Sequence, residues 1–291
     1  MSATGSASRS IDPRTRVGAV RLAVRDLDAV RDFYERSIGL RDVDADGVTR
    51  LGPQGGPALI ELEPAPDAPL RPPGTTGLFH LAILVPSRRD LAAALQRVGD
   101  SGWRFTGASD HLVSEALYLN DPEGNGIELY RDRPAEEWDW DDDQVRMATI
   151  PLDLDGVLGA LDGADPAEPM TSATRMGHVH LNVADLASTE AFYSGAIGLD
   201  VTVRDYPGAL FMSAGGYHHH VGANTWAGEG APPPPPGALG LRSFELVVPS
   251  RDELEAAEAW LRAAGFETSP NDGALAATDP SGNLVRLVVD A

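Results

Sequence analysis

Cysteine is absent from the 291 residues, so the chain forms no disulfides and offers no thiolate to a metal, which fits a cytoplasmic location. No apolar run is long enough to cross a bilayer, so no membrane association is expected. Positive charge is scarce: 23 basic residues stand against 44 acidic, a net charge of −21. That balance opposes binding to nucleic acid or to an anionic membrane, and it disfavours a highly charged anionic substrate. The opening MSATGSASRSIDPRTR lacks an apolar segment and reads as a frayed tail over 1–15, not a secretory signal. What remains is a globular composition, 42% apolar, at a length suited to two domains.

What the sequence does have is repetition. Val17–Leu40 aligns without gaps to Met176–Leu199 at an offset of 159, with eleven of 24 positions identical. A second pattern occurs twice, HLAILVPSRRDL from His80 and SFELVVPSRDEL from Ser243, and its tail recurs as NDPEGNGIELY and TDPSGNLVRLV. Each first-type repeat opens with period-two alternation, which argues a half-buried strand. Asp26 or Asp185 then sits at an N-cap, followed by apolar residues at helical spacing until Gly39 or Gly198. In the second type, Leu81–Val85 reads as a strand and Asp90–Val98 as a helix, and weaker strands follow in both. The fold class is therefore α+β, with four βαβββ modules of about 50 residues each forming two domains. The first domain is expected over 16–135 (modules one and two) and the second over 174–291 (modules three and four). Between them, 136–173 is an acidic linker with a short helix near Leu152–Leu161. Pro232–Pro236 predicts a stiff polyproline II loop between modules three and four.

The copies differ where chemistry would sit: Ala19 against His178, Ser243 against His80, Arg286 against Glu128. First and last strands of a βαβββ unit can lie side by side, so two facing units offer four inward positions. Modules two and three would fill three of them with His80, Glu128 and His178. A lone histidine on an apolar strand is more often a core residue than a ligand, but two with a carboxylate at equivalent positions reverse that reading. Two imidazoles and one carboxylate, with open positions left, is the ligand set of a non-heme Fe(II) oxygenase. The set works only if module two faces module three, which leaves modules one and four (Ala19, Glu61, Ser243, Arg286) as a metal-free pair.

With those residues in hand, the chain resembles the vicinal oxygen chelate superfamily of glyoxalases, bleomycin-resistance proteins and extradiol dioxygenases. The two-domain layout is similar to that of the catechol 2,3-dioxygenases, and the resemblance spans nearly everything but the tail and linker. It implies Fe(II), with Mn(II) as the alternative metal, held by His80 in LFHLA, Glu128 in DPEGNGIELY and His178 in GHVHL. It further implies a small aromatic diol and O2 as substrates and a muconic semialdehyde-type product, and it is compatible with a homo-oligomer. Tyr118, ten residues before Glu128, and His111, seven before Tyr118 where nine are expected, would hydrogen-bond the substrate. In GGYHHHVGANTW, His219 is expected as the acid/base with His220 as the fallback, because strand alternation would turn His218 and His220 opposite to His219. His180 and Trp226 are expected to line the substrate pocket, and Trp138 and Trp140 to anchor the linker.

Related modules host other activities. A glyoxalase-like lyase or isomerase would need four protein ligands, typically with two carboxylates, and the only spare one at an equivalent position is Glu61 in module one. A non-catalytic protein sequestering an aromatic drug would need an apolar cleft and no ligand set.

Overall fold

Each of the four module helices starts at a side chain that accepts an otherwise unpaired N–H: Asp26 from Ala29, Ser87 from Asp90, Asp185 from Ser188 and Ser250 from Glu253. Such caps fix where each strand turns into helix, and in the computed structural model, which describes residues 9–43, 48–271 and 273–290, all four modules are βαβββ. The opening strands are Arg16–Val24, Gly77–Leu84, Arg175–Asn182 and Gly240–Val248. The closing strands are Ile60–Pro64, Gly126–Asp132, Val221–Asn224 and Leu284–Val289. In modules one and three the helix is shorter than the periodicity predicts. It passes into a π turn, Tyr34–Ile38 or Tyr193–Ile197, whose extra residue per turn swings a fully buried tyrosine into the core.

Within every module the opening and closing strands pair in parallel; between modules the opening strands pair antiparallel. Module two joins module three in a nine-stranded sheet, and module one joins module four in an eight-stranded sheet. Each sheet therefore draws one module from either half of the chain. A single apolar core contains residues of all four modules, from Val20 and Leu81 to Val179 and Leu246.

Of the expected tail, residues 1–8 lie outside the described residues, as does Ala291 at the other end. From Ile11 the chain is anchored: Ile11 is buried and donates its N–H to Gly198 O. The linker forms a small hairpin (Trp140–Asp141 with Gln144–Val145), then Ile150–Pro151, which extends the nine-stranded sheet, and a helix at Leu154–Gly159. Trp138 and Trp140 pack against a cluster of Val113, Val145, Val203, Ala209 and Phe211. No described helix is long and apolar enough to cross a membrane.

Candidate metal centre and cavity

Register places the key side chains in one row. Tyr118 lies opposite Glu128, Glu128 beside Ala82, and Ala82 opposite His178; two residues along, His80 lies opposite His180. Side chains alternate along a strand, so His178 with His180, and His80 with Ala82, share a face. Ala82 between them is small enough for Glu128 and His178 to meet across its strand, with Glu128 Oε2 3.2 Å from His178 Nε2 and 3.0 Å from His80 Nε2. One donor atom from each of His80, Glu128 and His178 lies within 4.8 Å of the others, and all three residues are buried. Despite its closeness to Glu128, His80 Nε2 has no aligned hydrogen bond among the described residues. A buried, unsatisfied nitrogen is costly, and a cation at the point where the three donors converge would satisfy it. The triad fits a metal.

The charge states suit that role. Burial pushes His178 down to about 4 even against the pull of Glu128, so its imidazole is neutral and has a lone pair to give. Burial works against the Glu128 anion, but the adjoining imidazoles of His178 and His80 hold its carboxyl well below the usual range. Two imidazole nitrogens and one carboxylate suit a divalent transition metal and leave positions open for other ligands.

The triad lines a cavity of about 470 Å³, within the range of small-molecule sites. All seven histidines of the chain lie in or directly behind it. His80, His111, His178, His180 and His219 line it with Tyr118 and Trp226. His111 Nδ1 lies 2.8 Å from Ala148 O and so carries the proton; its Nε2 therefore accepts from Tyr118 Oη at 2.6 Å. That commits the Tyr118 proton to His111 and leaves Tyr118 oxygen lone pairs for a substrate hydroxyl. His180 packs against Phe79, Phe211 and Trp226, and the Trp226 indole is pinned by donating to Pro207 O.

The three consecutive histidines depart from strand alternation because the closing strand begins only at Val221. His219 lines the cavity, its ring centroid 4.0 Å from that of His178. His218 does not point away from it: the two Nδ1 atoms are 2.8 Å apart. His220 turns out of the cavity, where its Nδ1 accepts from Ala214 N–H and its ring packs on Tyr217. Sequence reasoning missed Phe79, Tyr206 and Phe211 in the walls, and Met147 and Thr149 from the linker. Phe79 stands at an irregularity in the strand pairing, and the linker residues arrive only because Ile150–Pro151 pairs with Ser109–Asp110. Neither placement leaves a pattern in the sequence.

Two glycines are required by close approach. A Cβ on Gly177 would lie 1.7 Å from Tyr130 Oη, and one on Gly222 3.0 Å from His180 Cγ. Gly222→Ala is expected to push His180 toward the cavity. Overpacking of this kind costs about 1 kcal/mol or more of stability, and separately the displaced ring is expected to raise KM roughly fivefold, about 1 kcal/mol of lost binding. Steady-state kinetics with metal analysis will show it as a KM change at unaltered metal content.

In modules one and four, two of the four equivalent positions are held in ion pairs: Glu61 bonds Arg21 and Arg50, and Arg286 bonds Glu245.

The profile of the Glyoxalase/Bleomycin resistance protein/Dioxygenase superfamily matches residues 16–129 and 175–287. A protein of Bacillus subtilis (strain 168), catechol-2,3-dioxygenase, is 40% identical over 286 residues, covering 96% of this chain and 99% of its own. Biphenyl-2,3-diol 1,2-dioxygenase 3 of Rhodococcus globerulus is 33% identical over 96 residues, 32% of this chain and 45% of its own. Among solved structures, glyoxalase I from Zea mays superposes with a TM-score of 0.55 at 18% identity, over 94% of this chain and 92% of its own. The cppA protein of Streptococcus pneumoniae TIGR4 gives 0.56 at 12% identity, over 94% and 99%. At such identities these two structures speak for the fold alone.

Proposed function

The chain belongs to the Glyoxalase/Bleomycin resistance protein/Dioxygenase superfamily, and from that membership we propose that it is an Fe(II)-dependent extradiol dioxygenase. It acts on a catechol-type diol with O2 and yields a ring-opened muconic semialdehyde. The observation that carries this reading is the convergence of His80, Glu128 and His178 on the wall of a cavity that also presents His219, Tyr118 and His111. The 40% identity with a catechol-2,3-dioxygenase over nearly the whole chain supports it. A glyoxalase-type reaction would call for a second carboxylate, and among the described lining residues Glu128 is the only one.

His80, Glu128 and His178 would hold the iron, which when bound polarises the diol and lets diol and dioxygen exchange electrons at one centre. The rest falls to the protein. Burial keeps His219 well below the usual imidazole range, so it is neutral near pH 7 and could take a hydroxyl proton whose acidity a bound metal had raised. Tyr118, held by His111, offers its oxygen to the second hydroxyl. Phe79, Phe211 and Trp226 give the diol ring an aromatic wall to pack against.

No Arg or Lys lines the cavity among the described residues, whereas Phe79, Leu119, Ile127, Met147, Phe211 and Trp226 do. An anionic ring substituent would be buried unpaired. Alkyl- or aryl-substituted catechols are therefore expected to exceed ring-carboxylated ones in kcat/KM by about a hundredfold or more, in a panel of matched substrates. The founding experiment is anaerobic purification with Fe(II), addition of catechol and O2, and measurement of the yellow semialdehyde absorbance beside metal content. Turnover with about one iron per chain supports the proposal; a chain that binds no metal refutes it.

A further inference from the structure

Behind His219 stands a hydrogen-bonded chain that reaches the protein surface. His218 Nδ1 is 2.8 Å from His219 Nδ1, and His218 Nε2 is 2.9 Å from Asp132 Oδ1. Asp132 is the last residue of the same closing strand that carries Glu128. Its carboxylate also accepts from Tyr217 Oη, at 3.1 and 3.2 Å, and Tyr217 Oη is 2.7 Å from Tyr130 Oη. His218 is fully buried, and Trp138 from the linker packs on its ring.

The direction of each bond follows from what each atom can do. A carboxylate oxygen only accepts, so His218 Nε2 carries a proton, and a ring with that one proton has a lone pair at Nδ1. The nitrogen facing that lone pair, His219 Nδ1, must then be the donor. His219 Nε2, which has no hydrogen-bond partner among the described residues, is left unprotonated on a ring that lines the cavity. We propose that Asp132 and His218 are positioning residues that fix His219 in its Nδ1–H tautomer, so that Nε2 is presented to the substrate as the base. The inference rests on the dioxygenase reading for its catalytic consequence, but not for the tautomer itself.

Asp132→Asn is nearly isosteric and leaves one acceptor oxygen and no charge for two donors, Tyr217 Oη and His218 Nε2. The hold on both tautomers weakens. His218→Gln keeps an amide oxygen that can accept from His219 Nδ1, whereas His218→Ala keeps nothing. The test reads ring 15N shifts of 15N-histidine-labelled, metal-free full-length protein, with His219 assigned through His219→Gln, beside kinetics of the iron-loaded forms. The parent should show a protonated Nδ1 and a bare Nε2 at His219, and Asp132→Asn a mixture of tautomers. With it, kcat should fall at least about tenfold at a KM within about twofold and at unchanged iron content. His218→Gln should retain more of kcat than His218→Ala.

An Nε2–H tautomer in the parent, or an Asp132→Asn protein with parental shifts and kcat, overturns the proposal. So does an Asp132→Asn protein that loses iron and KM together, because the residue then only braces the fold. If the parent shows the stated tautomer but iron-loaded protein cleaves no catechol, the positioning stands and the dioxygenase reading fails.

Discussion

Glu128→Ala is expected to lose bound iron and to lower ring cleavage by about a thousandfold or more. Among the described residues the carboxylate is the only negative charge at the point where the two imidazoles converge, and a divalent cation buried there without it faces a desolvation cost with no counter-charge. Polarisation by a bound metal is worth several kcal/mol of transition-state stabilisation, and each 1.36 kcal/mol is a factor of about ten in rate. His80→Ala and His178→Ala are expected to act in the same direction, since either leaves two donors. Iron per chain by elemental analysis, read beside semialdehyde formation, checks all three. Full iron with full activity in Glu128→Ala would overturn the assignment of the site. Thermal unfolding serves as the control. Removing the carboxylate also relieves a buried charge, so an Ala variant that melts at or above the parental temperature without metal separates a lost site from a lost fold.

Both the architecture and the triad were legible because repeats carry their own alignment. The 159-residue offset puts His178 on Ala19 and His180 on Arg21, and the VPSR pattern puts His80 on Ser243. The structure adds what spacing could not. The pairing of module two with three followed from the ligand set, but its means, opening strands hydrogen-bonding antiparallel with Val179 on Leu81 and Val20 on Phe244, is a long-range register that leaves no local mark. The glycines of GHVHL and VGAN carry no sequence signal of their role. They are the spaces into which the Tyr130 hydroxyl and the His180 ring fit. The histidine run defeated the period-two argument because Tyr217–His220 lies before the strand starts, so backbone bends rather than alternation set the directions of the three rings. Asp132 was hidden for a related reason. It reads as an ordinary strand-end aspartate, and only folding brings it to His218, 86 positions away.

The same geometry sets the expectation for His219→Gln. Its side chain is close in size and polar, so the neighbouring rings of His178 and Phe211 keep their packing and iron content should stay at parental level. What is lost is a group that can take and return a proton, which is worth about a hundred- to ten-thousandfold in kcat. The loss should fall on kcat rather than on KM, because the apolar walls and the triad that bind the diol are untouched. The pH profile of the parent gives an independent check. Burial, reinforced by His178 and His218, depresses the imidazole well below its ordinary value near 6.5, and a cation at the triad would depress it further. The base is then disarmed only at a pH well below 6.5, so the acid limb of kcat/KM should lie below that point and be missing from His219→Gln. An acid limb centred near 6.5 in the parent, or one that persists unchanged in the variant, would assign the proton transfer to another group, of which His111 beside Tyr118 is the next in reach.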